Sequence, residues 1–196
     1  MSNTGKFNTQ KLVLGAIMTG LVIVLQWVGS VTTFFGPFST AVALIPIVLG
    51  AAMCGAGIGA WLGIVFGAVV IFTGGANLFF AFDIPGTIIT VLAKGMLCGL
   101  AAGLVYNALA RFNKYVATFA AALICPVVNT GVFLLGCYIF FMDSAVQIAQ
   151  AIGMDVSGMA LFWALAMGNF AIEVLSNVVL SPVIVRILNF NKKIAR

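Results

Sequence analysis

The chain contains no histidine and only four acidic residues, Asp83, Asp143, Asp155 and Glu173. Without an imidazole there can be no Ser-His dyad, and most zinc chemistry is closed as well. Charge of either sign is scarce: 7% of 196 residues, against roughly a quarter in soluble globular chains. That scarcity excludes a soluble fold. Cysteine is sparse too. Cys54, Cys98, Cys125 and Cys137 form no C-x-x-C pair and each lies in an apolar run. They are read as buried thiols acting as small hydrophobes, with no metal, disulfide or cofactor role expected. No polar stretch is long enough for a separate soluble domain, which excludes ATP hydrolysis and nucleic-acid work by this chain.

What is present is hydrophobic residue, 63% of the chain, with a mean hydropathy of +1.24. With about twenty apolar residues needed per crossing, the length holds about six helices in a single integral-membrane domain, residues 1–196. Five spans are plain: 11–29, 56–73, 84–108, 115–141 and 160–188. The start, Lys6 and Lys11 before an apolar run, has a signal peptide's order of regions. The run to Val28 is long for one, so it is taken as the first span.

Charge settles the parity. Lys6 and Lys11 open the chain, Arg111 and Lys114 sit between two later spans, and Arg186, Lys192, Lys193 and Arg196 close it. The positive-inside rule places all three clusters in the cytoplasm. Both termini inside require an even number of crossings, so "STAVALIPIVLGAAM" is expected to supply the sixth, 39–54, short and kinked at Pro46. Eight of the nine basic residues are then cytoplasmic, which accounts for the net charge of +5 without nucleic acid. The expected fold class is an all-α membrane protein with six transmembrane helices and cytoplasmic N- and C-termini.

Gly59, Gly63 and Gly67 repeat every fourth residue, as do Gly95, Gly99 and Gly103. Small residues at that spacing let helix backbones approach closely in lipid, where no hydrophobic effect drives association. Neither run is a phosphate loop, since both lie inside spans with no G-K-[ST] following.

Two charges fall inside spans. Lys94 lies ~16 Å past the outer boundary at Asp83, and Glu173 ~20 Å before the inner boundary at Arg186, at a 1.5 Å rise per residue. Both are near mid-depth of a core about 30 Å thick, so they are expected to meet, directly or across a ligand. Thr87, Thr90 and Lys94 share one helix face, as do Asn169, Glu173 and Asn177, while Asn129 and Thr130 follow Pro126 in "CPVVNTG". Polar groups facing lipid are costly, so all three stripes are expected to point inward. A purely structural Lys94–Glu173 ion pair is one reading. A binding site is preferred, because buried pairs contribute little to stability and an intramembrane ionisable residue is by default a functional-site candidate.

The loops "VTTFFGPFST" and "TGGANLFFAFD" both fall outside and bring Phe34, Phe35, Phe38, Phe79, Phe80 and Phe82 beside glycines. Interfacial aromatics are ordinary belt residues, but their clustering at one mouth suits a lid, with Phe34, Phe35, Phe79 and Phe80 its main candidates. A partly apolar lid over a polar site fits a small amphiphilic ligand.

With "IPIVLGAAMCGAGIGAWLGIVFG" and "KGMLCGLAAGLVY", the chain resembles the substrate-binding S components of energy-coupling factor (ECF) vitamin transporters. The likeness covers nearly the whole chain and is closest to the riboflavin, folate and pantothenate group. It implies high-affinity vitamin binding near the outer face, by the later helices and the first and third loops. Toppling in the prokaryotic plasma membrane would then deliver the vitamin inward. It also implies a transmembrane T component and two cytoplasmic ATPases as partners. The family's first helix carries Ala-x-x-x-Ala where the coupling subunit docks. Here "AIMTG" supplies Ala16 and Gly20, departing at the second position while keeping both residues small.

On this reading Lys94 takes a carboxylate or other anionic group, and Glu173 a cationic or hydroxyl group. Asn129, Asn169, Asn177 and Thr90 fix orientation, with Thr87 on the same polar face. Pantothenate suits Lys94; riboflavin or a pyridoxine-like vitamin suits the aromatics. The alternative is an autonomous proton- or ion-coupled carrier with Glu173 titrating, which would work without ATP. An intramembrane enzyme is not expected, because no serine can be placed beside Lys94 for a Ser-Lys pair.

Overall fold

Helices that are apolar on every side are either surrounded by protein or faced by lipid. Both kinds occur in the computed structural model, which describes residues 9–31, 43–153, 155–156 and 158–194. The described elements are all helical: α1 (Thr9–Val31), α2 (Leu44–Cys54), α3 (Ala56–Phe72), the single turn α4 (Asn77–Phe80), α5 (Ile84–Leu109), α6 (Lys114–Gly136), α7 (Ala145–Ala151) and α8 (Met159–Ile194). Helix α6 runs on as a wider π-type turn, Cys137–Phe141. Segments 11–30, 84–109, 114–141 and 159–187 are long and apolar enough to cross a membrane, while α2 and α3 are shorter.

Helix α1 buries Gly15, Met18, Val22 and Gln26, one stripe at steps of three and four. Its other faces expose Leu12, Val13, Ile17, Leu21, Val24 and Trp27, as a lipid-facing helix should. Helix α2 is the surrounded kind. Leu44, Pro46, Ile47, Val48, Leu49, Gly50, Ala51 and Cys54 are all buried, with α1, α3, α5, α6 and α8 packed around it. At 11 residues it rises only ~16 Å. Pro46 costs it no intrahelical hydrogen bond. The proline falls in the first turn, where an amide proton would have no intrahelical partner. Residues 39–42 of the expected span lie outside the described residues.

Gly55 separates α2 from α3 at φ 104°, a left-handed conformation that favours glycine. Helix α3 ends where the Thr73 hydroxyl donates to the Val69 carbonyl at 2.8 Å. Helix α5 begins at Asp83, whose carboxylate accepts from the Gly86 amide at 3.2 Å, with Pro85 in the first turn. Helix α6 is capped by Asn113, which accepts from Tyr115 N–H at 2.8 Å. Asp83 and Asn113 satisfy donors, and Thr73 an acceptor, that helix ends leave open.

The two glycine runs meet. A methyl group built on Gly63 would strike the Gly95 carbonyl oxygen, one on Gly95 the Gly63 oxygen, and one on Gly99 the Gly59 oxygen. Each step of four along α3 is matched by a step of four backwards along α5, so the pair is antiparallel with backbones in contact. Helices α5 and α6 close similarly at Gly136, where a methyl would overlap the Thr90 side chain. In α8, Pro182 cannot donate to the Val178 carbonyl, and the Ser181 hydroxyl takes that carbonyl instead at 2.8 Å.

The apolar interior divides into two clusters. The larger joins α1, α2, α3, α5 and α6 around Val22, Ile47, Leu62, Phe66 and Cys125. The smaller joins the end of α6, α7 and the start of α8 around Phe141, Ile148 and Phe162. A polar seam runs beside both.

Candidate functional site

Glu173 on α8 is completely buried. A carboxylate there needs donors, because leaving water unaccompanied is prohibitive. Asn129 Nδ2 on α6 donates to both of its oxygens, at 3.3 and 3.2 Å. Asn169 Nδ2, one turn before it on α8, donates to Oε1 at 2.8 Å. Asn177 Nδ2, one turn after, donates to the Glu173 backbone carbonyl at 2.9 Å. The spacing of four along α8 stacks the three side chains, and Asn129 ties that stack to α6.

Beside this clamp lies a cavity of about 420 Å³, within the usual range for small-molecule sites. Lys94, Asn129, Thr130, Asn169, Gln26, Ser30 and Thr73 give its wall polar character. Val70, Leu78, Phe79, Phe133, Leu165 and Ala166 give it apolar character, and Gly74 and Gly75 complete it. Lys94 extends over the Phe133 ring, Nζ 5.3 Å from the centroid, an attraction between cation and ring quadrupole. Phe79 meets Phe133 edge-on, centroids 5.5 Å apart, and Phe141 at 5.0 Å. The turn between α3 and α5, with Gly74 at φ 79°, is what carries Leu78 and Phe79 to the cavity.

The structure therefore draws Lys94, Asn129, Asn169 and Phe79 to one cavity. Glu173 is near them, within electrostatic reach of Lys94, but stands behind the wall and touches the cavity through the asparagines. Asn177 is buried along the helix from the cavity, on the Glu173 carbonyl. Thr90 is buried against Gly136. Thr87 donates to the Asp83 carbonyl at the start of α5. Phe80 packs on the larger core cluster, on the other side of the turn from Phe79. Phe34, Phe35 and Phe38 lie outside the described residues. Ala16 and Gly20 are exposed on α1, turned away from its buried stripe.

Sequence reasoning overlooked Gln26 and Phe133. The signal for Gln26 was available: it is the lone amide in the apolar run "LVIVLQWVG", and it falls on the stripe of Met18 and Val22. An uncharged amide stands out less in an apolar run than a charge does. Phe133 follows Asn129 and Thr130 by one turn on the same helix, but a phenylalanine inside a span carries no signal of its own.

The family model described as "ECF transporter, substrate-specific component" matches residues 10–187. No curated protein gives a match, and neither does a solved structure. The matched stretch runs from the start of α1 to the end of the apolar part of α8, so it takes in the buried helix, the glycine-packed pair, the amide clamp and the cavity: the chain belongs to the substrate-specific components of ECF transporters, multi-pass proteins of the prokaryotic plasma membrane.

Proposed function

We propose that the chain captures a vitamin or related micronutrient in the Lys94 cavity and delivers it through an ECF complex. Six helices would cross the membrane with both termini in the cytoplasm, the basic clusters on the inner side and the α3–α5 turn on the outer. Ala16 and Gly20 would meet the T component, and two cytoplasmic ATPases would drive the cycle. Pantothenate, riboflavin and pyridoxine-like compounds are the candidate substrates.

The observation that carries this reading is a lysine at the wall of a cavity sized for a small molecule. Among the described residues, Lys94 has a ring face as its close contact, while the carboxylate of Glu173 is already held by asparagine amides. An ammonium so placed can accept a carboxylate from a ligand without giving up a strong ion pair. Phe79, Phe133, Val70 and Leu165 would cover the ligand's apolar part.

The test is calorimetry on purified protein with the three vitamins. Lys94→Met keeps the apolar stem and removes the charge. It is expected to weaken binding of an anionic vitamin by about tenfold or more, the equivalent of ~1.4 kcal/mol. Unchanged affinity would remove Lys94 from the site.

A further inference from the structure

A buried carboxylate only accepts hydrogen bonds, and this fixes the amides around it. Asn129 Nδ2 is committed to both oxygens of Glu173. The carboxylate thus decides which end of that amide turns away from it. What turns away is Oδ1, and among the described residues it has no hydrogen-bond partner. Asn129 is only 3% exposed and lines the cavity. Gln26 repeats the pattern from α1: 1% exposed, in the same wall, its Oε1 without a hydrogen-bond partner among the described residues. Buried polar atoms in folded proteins are almost always satisfied. Thr90 Oγ1 and Asn177 Oδ1 also lack a partner among the described residues, but only Asn129 Oδ1 and Gln26 Oε1 belong to residues of the cavity wall, where a ligand can complete them.

The geometry points to a substrate that is an organic monoanion with at least two hydroxyl or N–H donors, its anionic group on Lys94 and its donors on Gln26 Oε1 and Asn129 Oδ1. Gln26 is then a specificity-determining residue, and Glu173 a positioning residue that acts through Asn129. This rests on the cavity being the substrate site, as proposed above, and it narrows that reading. A compound without hydroxyl or N–H donors would leave both acceptors desolvated and unmet, so the site rejects it even when its shape fits. A neutral compound would leave Lys94 with only the carboxylate of Glu173, held behind the asparagines, as its counter-charge. Of the three candidate vitamins, only pantothenate combines a carboxylate with several donors.

The experiment pairs a ligand change with a protein change. Pantothenate and its two analogues, each with one hydroxyl replaced by hydrogen, are titrated into wild-type protein and into Gln26→Met, a near-isosteric variant without the acceptor. In the wild type at least one analogue is expected to bind about tenfold more weakly than pantothenate. In Gln26→Met that discrimination is expected to shrink to within about twofold, because the partner of the missing hydroxyl has gone. Equal discrimination in both proteins would overturn the assignment of Gln26.

The melting temperature of ligand-free protein is the second readout. Removing an unmet buried acceptor is expected to leave it unchanged or raise it. A fall would make Gln26 a structural residue and overturn the proposal. Should wild-type protein bind riboflavin or pyridoxine tightly but not pantothenate, the monoanion requirement fails while the cavity assignment survives. Should it bind none of the three, the vitamin reading fails, and the melting temperature alone decides the role of Gln26.

Discussion

At the scale of single residues, the buried carboxylate is the strongest commitment in the molecule. Glu173 satisfies N–H groups of Asn129, which is buried, and of Asn169, which is half-buried. Glu173→Ala would strand the buried Asn129 donor, at roughly 1–3 kcal/mol, and take from Asn169 one of its partners. Thermal unfolding in detergent is expected to show a loss of stability of about 2 kcal/mol or more, together with weakened substrate binding as Asn129 loses its orientation. Glu173→Gln retains one carbonyl acceptor, so its stability is expected to fall between Glu173→Ala and the wild type. An alanine variant as stable as the wild type would mean that the asparagines find other partners and that the clamp does not organise the cavity. The two intramembrane charges and the asparagine spacing were legible in the sequence because charge in an apolar run stands out. Which charge touches the cavity was not, because that depends on how Asn129 from one helix intervenes in front of Glu173 on another. Nor could periodicity separate Phe79 from Phe80. Adjacent residues on one short turn face different clusters, and only the packed structure shows which faces which.

At the scale of helices, the same residue type stands in opposite surroundings. Gly63 and Gly20 are both glycines in apolar runs, yet a methyl on Gly63 would strike the Gly95 carbonyl while one on Gly20 would meet nothing within 4 Å. Gly63→Ala must push backbone against backbone, with overpacking costs typically of 1–3 kcal/mol. Its melting temperature is expected to fall clearly. Gly20→Ala restores a second alanine to the α1 pattern and gains helix propensity of up to ~1 kcal/mol, so isolated protein is expected to melt at the same temperature or higher. The pair of measurements separates the helix contact from the exposed face. If both variants destabilised equally, α1 would be packed by something other than lipid in the isolated chain. The glycine spacing announced that two close helix contacts exist, since no other residue type would be repeated there at such conformational cost. It did not announce that the two runs meet each other in antiparallel register, which is a property of the pair. The short helix α2 was hardest to read, because eleven apolar residues describe a buried helix and an incomplete span equally well.

At the scale of the whole molecule, the basic clusters and the cavity give one orientation two consequences. If positive charge holds the α5–α6 connection in the cytoplasm, the α3–α5 turn that brings Phe79 to the cavity lies outside, and substrate enters from there. All four native cysteines are free and buried, so a cysteine introduced at an exposed position would be labelled over a low background. Phe112 and Asp143 are both exposed, the first in the α5–α6 connection, the second just after the π-type turn at the opposite end of α6. In intact cells a membrane-impermeant maleimide is expected to label Asp143→Cys, and to label Phe112→Cys only after permeabilisation. The reverse pattern would turn the molecule over and place the cavity mouth on the wrong side for uptake. The same orientation has an energetic consequence. No nucleotide-binding motif appears in the sequence, and on the proposed function accumulation against a gradient would draw on partners. Proteoliposomes holding this chain alone are expected to bind vitamin but not accumulate it, whatever the pH gradient. Adding a T component and its two ATPases should bring uptake that stops without ATP. Accumulation by the chain alone under a pH gradient would instead assign Glu173 a coupling role that its closed amide clamp argues against, because a proton reaching that carboxylate would have to displace the asparagines that hold it.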